Sequence, residues 1–171
     1  MFVLGVDPGL SRCGYCCLDT GGRKPVARSL GVITTPPTAP IGDRLAELQA
    51  DIRGLIECHR PDVLAIERIF FQVNVQTAMS VGQASGVVMA EAGAAGVGVV
   101  EYTPNQVKEA VAGHGSAGKD QMIRMVQMLL DLSRPPRPAD AADAAAVALT
   151  HAAHHRMTAA AATATDRVVQ S

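Results

Sequence analysis

The chain opens with three apolar runs, residues 2–7, 13–19 and about 26–34, separated only by the segments "DPGLSR" and "DTGGRK". Connections this short cannot make the crossover that a parallel pair requires, so the three runs are expected to form an antiparallel meander. "TPPTAP" interrupts the pattern. Ile41, Leu45, Leu48, Ile52, Leu55 and Ile56 then recur at helical spacing, predicting a helix that ends near His59, ahead of Pro61. "DVLAIE" reads as a buried strand ending in Glu67, followed by a Gly/Ala-rich helix of about residues 76–93 and a strand within "GVGVVEY". A strand–helix–strand unit implies parallel neighbours. A short helix from Asn105 to Ala112, the loop "GHGSAG", a helix through Leu130, the break "SRPPRP" and a helix from about Asp140 to His155 complete the series. The expected architecture is α/β: a five-stranded mixed sheet with helices on both faces.

At 171 residues, 48% hydrophobic and 18% charged, the chain has room for one well-buried core, placed here in residues 1–156. The segment from Met157, "MTAAAATATDRVVQS", is poor in packing residues and reads as a disordered tail, residues 157–171. No basic stretch precedes an apolar run of signal-peptide length at the start, so the expected location is cytoplasmic. "VGQASGVVMAEAGAAGVGVV" is long enough to span a bilayer, but it is mostly Gly and Ala and carries Glu91. It fits a helix followed by a buried strand better, and no membrane partner is expected. Four cysteines in a chain this size suit a reducing compartment. The net charge of −1 is not that of a protein that simply coats DNA, so a nucleic-acid partner would have to be met by local cations.

Two motifs invite functions that their contexts oppose. "GHGSAGKD" satisfies G-x-G-x-x-G and half of a phosphate loop, yet a helix-like segment precedes it and Asp120 stands where a magnesium-binding Ser or Thr is needed. What survives is a glycine loop able to bring Lys119 to a phosphate backbone. "CGYC" has redox-dithiol spacing but lies inside a strand, which favours buried structural thiols. His151, His154 and His155 have helical spacing that could bind metal, although an exposed helix end accounts for them as well.

Carboxylates at element ends make the stronger pattern. Asp7 and Glu67 each terminate an apolar strand, and "PADAADAAA" sets Asp140 and Asp143 three residues apart on one side of a helix start. Singly, each has an ordinary explanation: Asp7 as a turn-former, Asp140 as an N-cap, Asp143 as a first-turn acid. Together they imply a site for a hard cation, since oxygen ligands suit magnesium and clustered acids need a cation to offset their repulsion.

"GVDPGLSRCG", "AIERIFF", "GQASGV", "VKEAVAGHGSAGK" and "DAADAAAVALTH" stand in the order and spacing of the RuvC family of Holliday-junction resolvases, a resemblance that covers nearly all of residues 2–155. It implies a ribonuclease-H-like fold in which the first and fourth strands are neighbours. The implied activity is a structure-specific endonuclease that nicks opposing strands of a four-way DNA junction symmetrically, in recombination and repair. Carried over by the resemblance, Asp7, Glu67, Asp140 and Asp143 are the catalytic and metal-binding set for two Mg2+ ions, with Mn2+ able to substitute. Lys108 and Lys119 would bind phosphates near the cut. Phe70 and Phe71 would stack on unpaired bases at the junction centre, Phe70 matching the family position more directly; core packing is the alternative for both. The family also implies a homodimer and work alongside the RuvA and RuvB branch-migration proteins. Two other functions remain compatible with the residues: an RNA-directed relative of the YqgF type, and a junction-binding protein that does not cut.

Overall fold

The computed structural model describes the backbone of residues 1–68 and 75–169 and the side chains of residues 1–68 and 78–158. Three strands, β1 (Phe2–Asp7), β2 (Arg12–Asp19) and β3 (Val26–Thr34), form the expected meander, with β2 antiparallel to both neighbours. On the other side of β1 lie β4 (Val63–Glu67) and β5 (Gly98–Tyr102), both parallel to it, giving the order β3-β2-β1-β4-β5. The mixed five-stranded sheet read from the sequence is therefore present. Its parallel half arises because α1 (Ile41–His59) and α2 (Val75–Ala94) supply the crossovers that short turns cannot.

Period-two alternation divides the core. Leu4, Val6, Cys13 and Cys17 point to the face covered by α1 and α2, where they meet Leu48, Ile52, Ala84 and Val88. Val3, Cys16 and Leu18 point the other way, toward α3 (Pro104–Ala112), α4 (Lys119–Leu129) and α5 (Ala139–Val169). The two ends of "CGYC" thus face opposite sides of the sheet as buried free thiols, in keeping with a structural role.

α5 lies across β1 and β2 with a face made almost wholly of alanine: Ala141, Ala144, Ala145 and Ala148 are buried to 1% exposure or less. Opposite them stand Gly5 and Gly14. A Cβ at Gly5 would strike the carbonyl oxygen of Ala144, and one at Gly14 the carbonyl oxygen of Asp140. The sequence removes side chains from both partners, so the helix backbone rests directly on the strands. That contact fixes where the start of α5 sits relative to the end of β1.

The element ends follow local chemistry. α3 begins with a capping box, Thr103 Oγ1 accepting from the Gln106 amide at 3.2 Å while the Thr103 amide donates to Gln106 Oε1 at 2.9 Å, and Pro104 fills the first turn. It closes at Gly113, whose φ of 82° suits glycine alone at little cost. α5 runs on to Val169, well past His155 and through most of the segment that composition leaves without structure. Alanine has the highest helix propensity, and a run of it sustains a helix with no apolar stripe to announce it.

Candidate active site

Asp7 and Glu67 are brought together by register. Val6 is paired with Ile66, and each acid is the next residue, at the last position of its strand. Alternation from Gly5 and Ala65 aims both carboxyls at the α5 face. Asp140 and Asp143 lie in the first turns of α5, one residue and four residues after its first residue Ala139. Asp140 is inside the first turn, so the N-cap role open to it in the sequence does not apply. Pro138 precedes the helix and forces the boundary one residue earlier.

Electrostatics tie the four acids into one group. Burial pushes the Asp7 carboxyl up to about 7, and the charges of Glu67, Asp143 and Asp140 push in the same direction against Lys119. Glu67 is raised by burial and then by Asp143, with Lys108 and Lys119 opposing. A cavity of about 320 Å3 opens here, and Asp7, Glu67, Asp143, Lys108 and Lys119 all line it. Gly118 and Lys119 place the N-terminus of α4 in its wall, where the helix dipole favours an anion.

Cations engage the two helix acids directly. Lys119 Nζ donates to Asp143 Oδ2 at 3.0 Å, and this bond is the main reason the lysine is held above its ordinary pKa. Arg12 grips Asp140 Oδ2 with Nη2 at 2.8 Å and Nε at 3.0 Å. Arg12 is the residue that sequence reasoning missed. Its only signal is a cation in the turn after Asp7, and its partner is 128 positions away.

The glycine loop is organised as the mount for α4. Its His114 has both ring nitrogens occupied, Nδ1 by Ser116 Oγ at 3.0 Å and Nε2 by the Gln121 amide at 3.0 Å. The preceding segment is α3, a helix, so the strand that a phosphate-binding P-loop needs is missing. His151 does not sit at an exposed helix end: its Nδ1 lies 2.9 Å from the hydroxyl of the buried Tyr102. Phe70 and Phe71 lie outside the described residues.

The donor chemistry suits a divalent cation. Burial first, and then the neighbouring carboxylates, raise the proton affinity of Asp7 and Glu67, and the same excess of negative charge favours a hard cation with oxygen ligands. Among the described residues no three His, Cys, Asp or Glu side chains already converge as a coordination sphere, Asp140 and Asp143 being turned to Arg12 and Lys119.

Comparison with known proteins decides the family. The profile described as "Crossover junction endodeoxyribonuclease RuvC" matches residues 3–151. The chain belongs to the RuvC family. RuvC of Mycobacterium avium is 46% identical over 152 residues, covering 88% of this chain and 81% of that protein. RuvC of Pelotomaculum thermopropionicum is 45% identical over 155 residues, covering 91% and 94%. Thermus thermophilus RuvC in complex with Holliday junction substrate superposes with a TM-score of 0.88 at 39% identity, covering 92% of this chain and 96% of that one. At 17% identity and a TM-score of 0.65, the yeast mitochondrial Holliday junction resolvase Ydc2 shares the fold. The RuvC relationship thus spans the whole described sheet and the start of α5, the parts that carry the four acids.

Proposed function

We propose that this RuvC-family chain is a magnesium-dependent endonuclease that resolves four-way DNA junctions, using Asp7, Glu67, Asp140 and Asp143 as its catalytic set. The observation that carries the reading is a cavity lined by Asp7, Glu67 and Asp143, from two strands and a helix, together with Lys108 and Lys119, with Asp140 close enough to add its charge to Asp7. Two Mg2+ ions held by the carboxylates, with Mn2+ able to substitute, would activate a water and stabilise the leaving 3′ oxygen of an in-line displacement. The chain's own part is positional. Asp7 and Glu67 are fixed by strand register, and Asp140 and Asp143 by the seat of α5 on Gly5 and Gly14. Lys108 and Lys119 hold the scissile phosphate and offset the charge that develops on it. Phe70 and Phe71, just beyond Glu67 in sequence, complete the reading as residues that stack on bases at the branch point.

Paired cuts across a two-fold junction call for a two-fold protein. The exposed face of α2 suits a homodimer: Gly86 and Gly93 lie on it with open space where a Cβ would be, and Met79 beside them is 61% exposed. RuvA and RuvB are the expected partners in branch migration. The proposed setting is the cytoplasm, and no helix among the described residues is long and apolar enough to cross a membrane. Residues 1–156 constitute the nuclease domain in this reading.

The test is to incubate the protein with a labelled four-way junction and with a matched linear duplex, with and without Mg2+, and to resolve the products on a denaturing gel. Symmetric nicks in the junction alone, dependent on the ion, are expected. Cleavage of RNA in preference to the junction, or junction binding with no product under any metal, would overturn the reading.

A further inference from the structure

A second open groove, of about 680 Å3, lies between α4 and the proline-rich segment that leads into α5. It adjoins the catalytic cavity through the chain itself. Asp120 on its wall follows Lys119, and Ala139 on the facing wall precedes Asp140. Arg124 projects from α4 and Arg137 from the "RPPRP" segment, both exposed.

These arginines differ from others in the protein. Arg12, Arg28, Arg53 and Arg68 are each committed to a carboxylate, whereas Arg124 and Arg137 have no ion pair among the described residues. Among the described residues Asp120 is the only acid on the groove wall. In a chain whose net charge is −1, this is a local concentration of uncommitted positive charge on a concave surface. The rim that presents Arg137 is stiff, because Pro135, Pro136 and Pro138 fix their own backbone torsions, and Pro136 is buried as an anchor.

Arg124 follows Lys119 by five residues of α4, a rise of about 7.5 Å and a turn of about 140° round the helix axis, so the one helix presents Lys119 to the acid-lined cavity and Arg124 to the neighbouring groove.

We propose that this groove is the track for the phosphate backbone of the duplex arm leading away from the cut site, gripped by Arg124 and Arg137 without regard to sequence. The proposal rests on the nuclease reading for the position of the scissile phosphate. It assigns these arginines to arm binding, distinct from the lysines at the cut itself.

The test compares wild type, the double variant Arg124→Gln with Arg137→Gln, and a charge-matched control, Arg60→Gln with Arg156→Gln, whose arginines are exposed elsewhere. Junction affinity is measured by fluorescence anisotropy across a salt series in Ca2+, and wild-type cleavage is measured in Mg2+. Each phosphate contact contributes about 0.9 to the slope of log affinity against log salt, so the groove variant is expected to lose close to 2 from that slope while the control keeps it. The deficit is expected to vanish on a junction whose arms are cut back too short to reach the groove. If wild type cuts the junction and the groove variant keeps the wild-type slope, or loses no more than the control, the groove proposal is overturned and the nuclease reading stands. If wild type binds without cutting and the slopes still differ, the nuclease reading falls and the groove is supported as a nucleic-acid track.

Discussion

The hydroxyl of Tyr102 lies 2.9 Å from Nδ1 of His151, joining the register partner of Glu67 to the helix that carries Asp143. Tyr102 is 6% exposed, and the ring of His154 lies 5.4 Å from its own. The bond pins α5 to β5 beside the cavity lined by Asp7, Glu67 and Asp143. Tyr102→Phe keeps the ring and removes the bond, which should cost about 1 kcal/mol. For a domain of this size that is a fall of about 2–4 °C in Tm, measured by thermal denaturation. An unchanged Tm would mean that water replaces the hydroxyl without loss.

Asp7 should make stability fall as pH rises. Its carboxyl titrates near 3.8 when unfolded and at about 7 in the fold. Between those values the native state keeps a proton that the unfolded chain releases, so the stabilising effect of the neutral form is complete below the lower value and lost through the upper one. Asp7→Asn removes this dependence. In EDTA the variant should be more stable than wild type by roughly 2–4 kcal/mol at pH 8, with little difference at pH 4. Urea titrations at the two pH values measure this, and equal differences at both would refute it.

The same substitution should abolish cleavage in Mg2+ and leave junction binding largely intact, because an amide is a poor ligand for a hard cation but matches the acid in size. Thermal shift gives an independent readout. Mg2+ should raise the Tm of wild type by mass action and move that of Asp7→Asn much less. A variant that retains wild-type cleavage would remove Asp7 from the catalytic set.

Lys119→Met keeps an unbranched side chain one atom shorter and deletes the charge that reaches Asp143. Loss of one preorganised charge at a reacting phosphate should lower the single-turnover rate by about 100-fold or more. Junction affinity should fall modestly, with a salt slope smaller by about 1. A reduced affinity with an unchanged rate would make Lys119 a binding residue only.

Gly5→Ala places one methyl group against the carbonyl of Ala144. The Ala144 carbonyl and the Cβ and amide of Ala148 are the atoms it meets, none of them the end of a flexible side chain, so α5 must lift. Overpacking of this kind costs about 1–3 kcal/mol or more, and the displaced acids should reduce cleavage further than the stability loss explains. Comparing activity with the folded fraction at the same temperature separates the two effects.

Much of this architecture was legible in the sequence because its signals are local. Apolar runs bounded by Pro and Gly marked all five strands, and an acid closing an otherwise apolar strand marked Asp7 and Glu67. The extension of α5 beyond His155 carried no such signal, since an alanine run has helix propensity but no periodic face. Arg12 and Tyr102 were illegible for a different reason: each meets its partner only after the sheet and α5 have packed. The positions of the acids at element ends could show that they gather. Their depth, which lifts Asp7 toward neutrality, depends on what covers them, and that is a property of the assembled layers.

The four acids are distributed over the first strand, the fourth strand and the last helix: register sets Asp7 beside Glu67, and the seating of α5 adds Asp140 and Asp143. A ribosome therefore exposes Asp7 early and Asp143 late. Throughout most of its synthesis the nascent chain carries the two strand acids without the helix pair, so the four-acid group is completed only by the final helix.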